Sequence, residues 1–315
     1  MTDDNNFKSG FVAIMGRPNT GKSTLLNAIM GGKVAITSAR PQTTRNQIRG
    51  IYNAEGLQIV FLDTPGLHKP ASALGEYMMK AARSALSGVD AALFLAEPLS
   101  GNQARGKRYE ADKELLATVI GKGARVYLII NKLDTAGKAD IAATIEAYKD
   151  LFDFAHIIPL SAATGENVPE LLAALRADMP PGPRYFPEDM FTDQPERQIV
   201  AEFIREQALR ALEDEVPHGV FAEVESMKTR AAADGGATDE LMDIEAVIYC
   251  ERDSHKGIII GKNGAMLKKI GTGARISAER LLGCRVNLSL WVKVKKDWRQ
   301  NERQVKSFGF DSKKL

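Results

Sequence analysis

The residues best suited to chemistry lie at positions 16–23, where Gly16, Gly21, Lys22 and Ser23 match the pattern G-x-x-x-x-G-K-[ST] at every fixed position. In such a loop, backbone N–H groups at a helix N-terminus form a cradle for a polyphosphate. Lys22 is predicted to reach the β- and γ-phosphates, and the Ser23 hydroxyl to bind Mg²⁺. The predicted nucleotide site also includes the intervening residues Arg17, Pro18, Asn19 and Thr20.

The segments beside this loop have the order that it requires. Residues 11–15 form an apolar run typical of a buried strand, and residues 24–30 have the pattern of a helix. A Gly-rich turn that holds nothing is the alternative. The complete motif and its correct flanks favour the nucleotide site.

A second motif, Asp63-Thr64-Pro65-Gly66, follows the apolar run at residues 59–62. Asp63 is predicted to hold the metal through water, and the Gly66 N–H to meet the γ-phosphate, with Thr64, Pro65 and Leu67 in the same site. Because hydrolysis removes the γ-phosphate, this segment is expected to be released afterwards. Leu67 stands where many regulatory GTPases have a glutamine, so the intrinsic rate is expected to be slow and to need an external trigger.

The polar segment Thr43-Thr44-Arg45 lies between the first predicted helix and the next strand. One of its hydroxyls can complete the metal shell, and Thr44 is favoured over Thr43. The alternative is a solvated loop without a ligand, because mobile loops are rich in such residues. Lys22, Thr44 and Gly66 are the predicted catalytic residues, and Ser23, Thr44 and Asp63 the predicted metal ligands.

The identity of the base is predicted from Asn131-Lys132-Leu133-Asp134, which follows the apolar run at residues 126–130. Asp134 can accept from two N–H donors of guanine, and adenine has no such pair, so the motif favours GTP over ATP. Both motifs follow predicted strands, at the sheet edge where α/β proteins bind ligands. Ser161-Ala162-Ala163, after residues 157–160, is predicted to add a backbone rim for the guanine.

Near the other end, Gly261-Lys262-Asn263-Gly264 lies between two predicted helices. A Gly-x-x-Gly turn of this kind is the RNA-binding loop of KH domains, where the glycines let the backbone approach the sugar-phosphate chain. The surrounding pattern predicts αββααβ. Lys268, Lys269 and Arg275 are expected to contact RNA as well. Trp291, on the outer face of the last strand, is either a base-stacking platform or packed under a helix.

Charge is distributed unevenly along the chain, which has a net charge of only +2. Residues 252–315 hold 16 Lys or Arg against 5 Asp or Glu, a net charge of +11, and the remaining 251 residues hold 26 against 35, a net charge of −9. A basic segment beside a Gly-x-x-Gly turn is expected to bind a phosphate backbone.

The alternation of predicted strands and helices indicates an α/β P-loop GTPase domain with a doubly wound, mostly parallel sheet, followed by an α+β type-2 KH domain. We expect the first domain at residues 1–180, a stiff Pro-rich linker at 181–195, the KH domain at 196–296 and a basic tail at 297–315. Two cysteines, a polar N-terminus and no run of 18 apolar residues predict a cytoplasmic protein.

Five guanine-nucleotide motifs in order, with Gly-Arg-Pro-Asn-x-Gly-Lys-Ser and Pro-Gln-Thr-Thr-Arg among them, resemble the Era family of bacterial GTPases. The resemblance implies a switch in small ribosomal subunit assembly. In this switch the GTP-bound protein holds the 3′ end of 16S rRNA and hydrolysis releases it. It further implies a potassium ion near Asn19 and weak association with the inner face of the membrane. We expect a monomer.

Two alternatives from other classes remain open at this point. One is an ATP-using enzyme such as a kinase, which Asp134 argues against. Competition of a labelled GTP by GTP and GDP but not by ATP would exclude it. An RNA-binding protein with a vestigial nucleotide site would be expected to lack Lys22, Ser23 or Asp63, and all three residues are present.

Overall fold

The computed structural model describes residues 7–38, 40, 42–66, 72–99, 106–117, 123–231 and 240–314. The first half alternates strands and helices as predicted. Its elements are β1 (Lys8–Gly16), α1 (Lys22–Met30), β2 (Ile48–Ala54), β3 (Leu57–Asp63), α2 (Ala73–Ser84), β4 (Ala91–Ala96), α3 (Lys107–Ala117), β5 (Arg125–Ile130), α4 (Lys138–Tyr148), β6 (His156–Pro159) and α5 (Val168–Asp178).

These strands form one sheet in the order β2-β3-β1-β4-β5-β6, in which only β2 runs antiparallel. Every residue of β3 and β4 is buried, as expected for strands covered on both faces. The predicted doubly wound, mostly parallel sheet is confirmed. Because parallel strands end at the same edge, the loops after β1, β3, β5 and β6 meet along one rim.

The second half has the predicted αββααβ order. Its elements are α6 (Glu196–Ala211), β7 (Phe221–Ala231), β8 (Glu240–Cys250), α7 (Asp253–Ile260), α8 (Ala265–Leu282) and β9 (Arg285–Val294). The sheet order is β7-β8-β9, with β8 and β9 parallel. Val286 and Val292 of β9 face the core, whereas Trp291 is 47% exposed, so the expectation that it packs under a helix is wrong.

The Pro-rich segment at residues 181–195 lies against the first domain along the edge strand β2. Ile51 N donates to Phe191 O at 2.9 Å, and the backbone N–H groups of Tyr185 and Phe186 donate to Gln58 Oε1. Arg49 and Asp193 form an ion pair. The segment therefore covers part of an open sheet edge, which would otherwise leave backbone groups unpaired.

Helix α6 is buried on two sides. Val200, Ile204 and Ala208 pack into the core of the second domain, whereas Ile199 and Phe203 pack with Ile36 of the first domain. Two apolar stripes on one helix are each expected to be covered by a packing partner. This helix is thus the main layer between the two domains.

The C-terminal segment carries the short helix α9 (Glu302–Ser307) and docks on α2. Trp298 is fully buried, and its Nε1 donates to Gly219 O at 2.9 Å. A single apolar cluster joins this segment to α2 and β7, with Leu74, Tyr77, Met78, Phe221, Trp298, Phe308 and Phe310 among its members. The segment that charge alone predicts to be a basic tail therefore also joins the two domains.

We expect Trp298→Ala to lower the free energy of unfolding by about 3 to 5 kcal/mol, because it removes the largest side chain of this cluster. Urea denaturation followed by circular dichroism measures the change. Trp291→Ala is the matched control, and its exposed ring predicts a loss of about 0.5 kcal/mol or less. Equal losses in the two variants would contradict the docked role of Trp298.

Candidate functional site

The phosphate loop joins β1 to α1 through glycines with positive φ. Gly16 has φ 149° and Gly21, at the N-cap of α1, has φ 96°. A Cβ on Gly21 would also lie 2.1 Å from Nδ2 of Asn131. Only glycine therefore satisfies both the backbone and the close approach of the Asn131 loop.

Lys22 is buried at the first position of α1, with Nζ donating to Gly16 O at 3.1 Å and to Arg17 O at 2.9 Å. Burial lowers the pKa of Lys22 to about 8, and Asp63 acts in the opposite direction. Bound phosphates would favour the charged form of this lysine in the same way that Asp63 does.

Three segments converge on the carboxylate of Asp63 at the end of β3. Ser23 Oγ donates to Asp63 Oδ2 at 2.6 Å and lies 2.8 Å from Thr44 Oγ1, which in turn donates to Oδ2 at 3.3 Å. Asp63 is fully buried, and among the described residues its Oδ1 has no hydrogen-bond partner. Burial raises the pKa of Asp63 to about 6, against the opposing effect of Lys22.

Two hydroxyls and a buried carboxylate with an unpaired oxygen are the hard oxygen donors that Mg²⁺ prefers. The residues present therefore fit the metal. The neighbouring Thr43 has a different environment, because its Oγ1 donates to Arg40 O at 2.7 Å. Of the two threonines, Thr44 lies beside Ser23 and Asp63.

The segment after Asp63 approaches the phosphate loop at Gly66, where an added Cβ would lie 3.0 Å from the backbone of Pro18. Gly66, Asn19, Lys22 and Thr44 line one cavity of about 360 Å³. Thr64 is buried, and its Oγ1 donates to Ile14 O at 2.8 Å, so its side chain fixes the strand end. Leu67 lies outside the described residues, and the expectation of a slow rate stays a prediction.

The predicted base-recognition residues are held by Asn131. Its Nδ2 donates to Thr20 O at 2.7 Å, and its Oδ1 accepts from Ala162 N at 2.9 Å. Ser161 Oγ donates to Asp134 Oδ1 at 2.6 Å. The loops after β1, β5 and β6 are thus locked together. The backbone of Leu133 is also fixed, since its N–H donates to Leu160 O at 3.2 Å.

A buried network that the sequence motifs did not predict lies behind the phosphate loop. The side chain of Arg17 points toward α3, where its Nε donates to Asp112 Oδ1 at 2.7 Å. Tyr148 of α4 donates to Asp112 Oδ2 at 2.8 Å, and Asp112 is fully buried. Burial raises the pKa of Asp112, although the hydrogen bonds from Arg17 and Tyr148 oppose this. A charged residue three positions before Leu115, on the apolar face of α3, was the available signal.

The Gly-x-x-Gly turn connects α7 and α8 with positive φ at Gly261 and Gly264. A Cβ on Gly261 would lie 2.7 Å from Cβ of Met266, so the turn closes only with glycine there. Lys262 and Asn263 at its tip are exposed, as are Lys268 and Lys269 on α8. Arg275 is instead engaged with Glu279 in an ion pair at 2.7 Å.

The fold and the site define a class: a P-loop GTPase domain followed by a KH domain. Residues 11–132 match the protein family described as 50S ribosome-binding GTPase, and residues 215–299 match the KH domain family. The chain is 52% identical to the GTPase Era of Geobacter metallireducens over 98% of this chain and 99% of that protein. It is 49% identical to the GTPase Era of Clostridium botulinum strain Eklund 17B, over 98% and 100%.

Two solved structures agree with these relatives. A variant of Aquifex aeolicus Era bound to GDP.AlF4- has a TM-score of 0.87 with 37% identity, over 96% of this chain and 99% of that one. Era in complex with MgGDPNP and nucleotides 1506–1542 of 16S ribosomal RNA has a TM-score of 0.88 with the same identity and coverage. The chain belongs to the Era family of GTPases. The resemblance and the fold class expected from the sequence are confirmed, and the alternative of an ATP-using kinase is wrong.

We expect Asp112→Asn to weaken the binding of GDP and of a GTP analogue to a similar extent. The substitution leaves the Arg17 guanidinium without its buried counter-charge, which costs about 3 to 5 kcal/mol of the local structure that holds the phosphate loop. Fluorescent-nucleotide titration measures both affinities. Glu110→Gln, an exposed position on the same helix, is the control. Unchanged affinity in Asp112→Asn would contradict a supporting role for this network.

Proposed function

We propose that this GTPase binds Mg-GTP at the rim of its parallel sheet and holds the 3′ end of 16S rRNA through its KH domain during maturation of the small ribosomal subunit. The observation that carries the proposal is the similarity, over 96% of the chain, to Era solved with both MgGDPNP and a 16S rRNA fragment. Residues 1–180 form the hydrolytic domain and residues 196–296 the RNA-binding domain, connected by 181–195 and followed by the docked segment 297–315.

In this proposal Lys22 and the N–H of Gly66 contact the γ-phosphate, and Thr44 acts through its hydroxyl from a place beside the metal. Ser23, Thr44 and Asp63 would hold Mg²⁺, which supplies charge stabilisation to the transferring phosphoryl group. The close contacts among these three side chains support the assignment. The residues at 16–23, 63–67, 131–134 and 161–163 complete the nucleotide site.

Leu67 cannot polarise water, so the proposed intrinsic rate is slow and rises when a partner supplies the missing group. Loss of the γ-phosphate removes the contacts of Gly66 and Thr44. The release of these two segments is the switch.

The RNA site is proposed around the Gly-x-x-Gly turn. Gly261 and Gly264 let the sugar-phosphate chain approach, and the exposed Lys262, Lys268 and Lys269 neutralise phosphates. Asn263 offers an amide at the tip of the turn. The exposed Ile258 on α7 adds an apolar surface for a base, whereas Arg275 contributes after it leaves Glu279.

Filter binding of an RNA corresponding to nucleotides 1506–1542 of 16S rRNA tests this proposal at several salt concentrations. RNA affinity is expected to be higher with GDPNP than with GDP. In Lys268→Gln/Lys269→Gln the slope of log affinity against log salt should fall by about 0.7 per lysine. Lys138→Gln/Lys149→Gln, with both changes in the GTPase domain, is the matched control. Equal slopes in the two double variants would exclude this face as the RNA site.

We further propose that a potassium ion near Asn19 accelerates hydrolysis modestly. Asn19 has φ 66° within the phosphate loop and lines the same cavity as Thr37 and Ser38. Phosphate release should be faster in KCl than in NaCl at equal ionic strength, and Asn19→Ala should abolish the difference. Equal turnover in the two salts for the unmodified chain would exclude the ion.

We place the protein in the cytoplasm, since its proposed RNA partner belongs to the small ribosomal subunit. We also propose that it is a monomer. None of the helices formed by the described residues is long and apolar enough to cross a membrane. Weak association with the inner face of the membrane would rest on the basic residues 252–315, which attract anionic lipids as well as RNA.

A further inference from the structure

The connection between α1 and β2, residues 31–47, contacts the KH domain at several of its described residues. Ile36 is buried against Ile199 and Phe203 of α6. Polar contacts surround this apolar contact. Arg40 donates to Leu212 O at 2.7 Å, and Arg45 donates to His218 O at 2.9 Å and to Val220 O at 2.6 Å.

The contact nearest to the nucleotide site is made by Arg205, in the middle of α6. Its guanidinium donates to the backbone carbonyl of Thr43, the residue directly before Thr44. The same guanidinium is oriented by Glu202, whose Oε1 accepts from Nε at 2.9 Å. Arg205 is fully buried. A planar guanidinium held on one side by a carboxylate has a fixed direction for its other donors.

A second buried charge on α6 holds the other end of the same connection. Glu206 Oε1 accepts from Thr37 N at 3.0 Å, and Oε2 pairs with Lys33. Glu206 is fully buried, with Arg210 of the next turn as a further partner. Arg205 and Glu206 thus bind the connection at Thr43 and Thr37, two residues that line the same cavity as Thr44.

Buried charges stabilise a contact only while their partners stay in place, because removing one partner leaves an uncompensated charge. If Thr37 and Thr43 moved away from α6, both Glu206 and Arg205 would lose hydrogen bonds in a position closed to water. The KH domain would then have to shift to let water reach them. The position of Thr44 and the position of α6 are therefore energetically linked, and such linkage acts equally in both directions.

We propose that Arg205 of the KH domain is a positioning residue of the GTPase site, which holds Thr44 in its metal-binding place through the carbonyl of Thr43. Glu206 supports it by holding Thr37. This inference rests on the proposed function, in which Thr44 is a metal ligand in the Mg-GTP state but not in the GDP state. The RNA-binding domain thereby contributes directly to the difference in affinity between GTP and GDP.

The test is the ratio of the affinities for GDPNP and GDP, measured with Mg²⁺ by fluorescent-nucleotide competition on the full chain. In Arg205→Met the affinity for GDPNP should fall about tenfold, since a hydrogen bond to a charged donor is lost, while GDP affinity stays within about twofold. Arg205→Lys, which keeps the charge and one donor, should recover part of the loss. Phosphate release should show a lower kcat in Arg205→Met and an intermediate value in Arg205→Lys.

Arg197→Met is the matched control, because Arg197 lies on the same helix and donates to Val224 O and Glu225 O, both within the KH domain. The ratio of GDPNP affinity to GDP affinity in this variant should equal that of the unmodified chain. If Arg205→Met does not fold, Glu206→Gln supplies the same measurement, because it removes the charge that pairs with Lys33 and keeps an acceptor for Thr37 N. A smaller loss of the same sign is expected there.

An unchanged ratio in Arg205→Met, or in Glu206→Gln if it is the variant that folds, would overturn the inference. So would an equal loss of both affinities, which would indicate general destabilisation. These results differ from a failure of the proposed function, in which the unmodified chain itself would bind neither nucleotide.

Discussion

The buried carboxylate of Asp63 is the point on which the nucleotide site depends. It lies at the end of β3, where it draws in Ser23 from the phosphate loop and Thr44 from the connection between α1 and β2. An ionised carboxylate in a closed environment is costly unless donors or a cation compensate it, and here one oxygen keeps no partner among the described residues. Binding of a cation together with phosphates would therefore stabilise the site most. Metal binding is thereby linked to the ordering of the two loops that carry Ser23 and Thr44.

The site around Asp63 is connected to the rest of the molecule, because both chain neighbours of Thr44 are bound by the other domain. Thr43 is held by Arg205, and Arg45 donates to two carbonyls before β7 while its guanidinium lies 5.6 Å from the Trp298 ring. Trp298 in turn packs with α2, the helix that follows the Gly66 segment. The Thr44 segment is thus bound by KH residues, and the helix that follows the Gly66 segment is packed against C-terminal residues. Helix α6, apolar on two sides, keeps these contacts in a common interface.

Motif reasoning succeeded where function requires particular residues at the ends of strands. The strict spacing of Gly16, Gly21, Lys22 and Ser23, and the position of Asp63 and Asp134 after apolar runs, predicted which loops would share a rim, because parallel strands end together. It failed for residues whose role depends on a distant partner. Asp112 and Arg205 are single charged residues on helices. The local sequence around each residue does not indicate that Asp112 contacts Arg17 or that Arg205 contacts Thr43.

The chain by itself determined the two domains, the order of their elements, the guanine-nucleotide motifs and the basic C-terminal fifth, since these follow from local periodicity, short motifs and composition. The tertiary structure decided how the domains meet. Composition predicted a spacer at residues 181–195 and a basic tail at 297–315, but the first lies along the edge of β2 and the second is anchored by Trp298 against α2. Such docking arises from complementary surfaces that are far apart in sequence. Local sequence patterns do not predict which of these surfaces pack together.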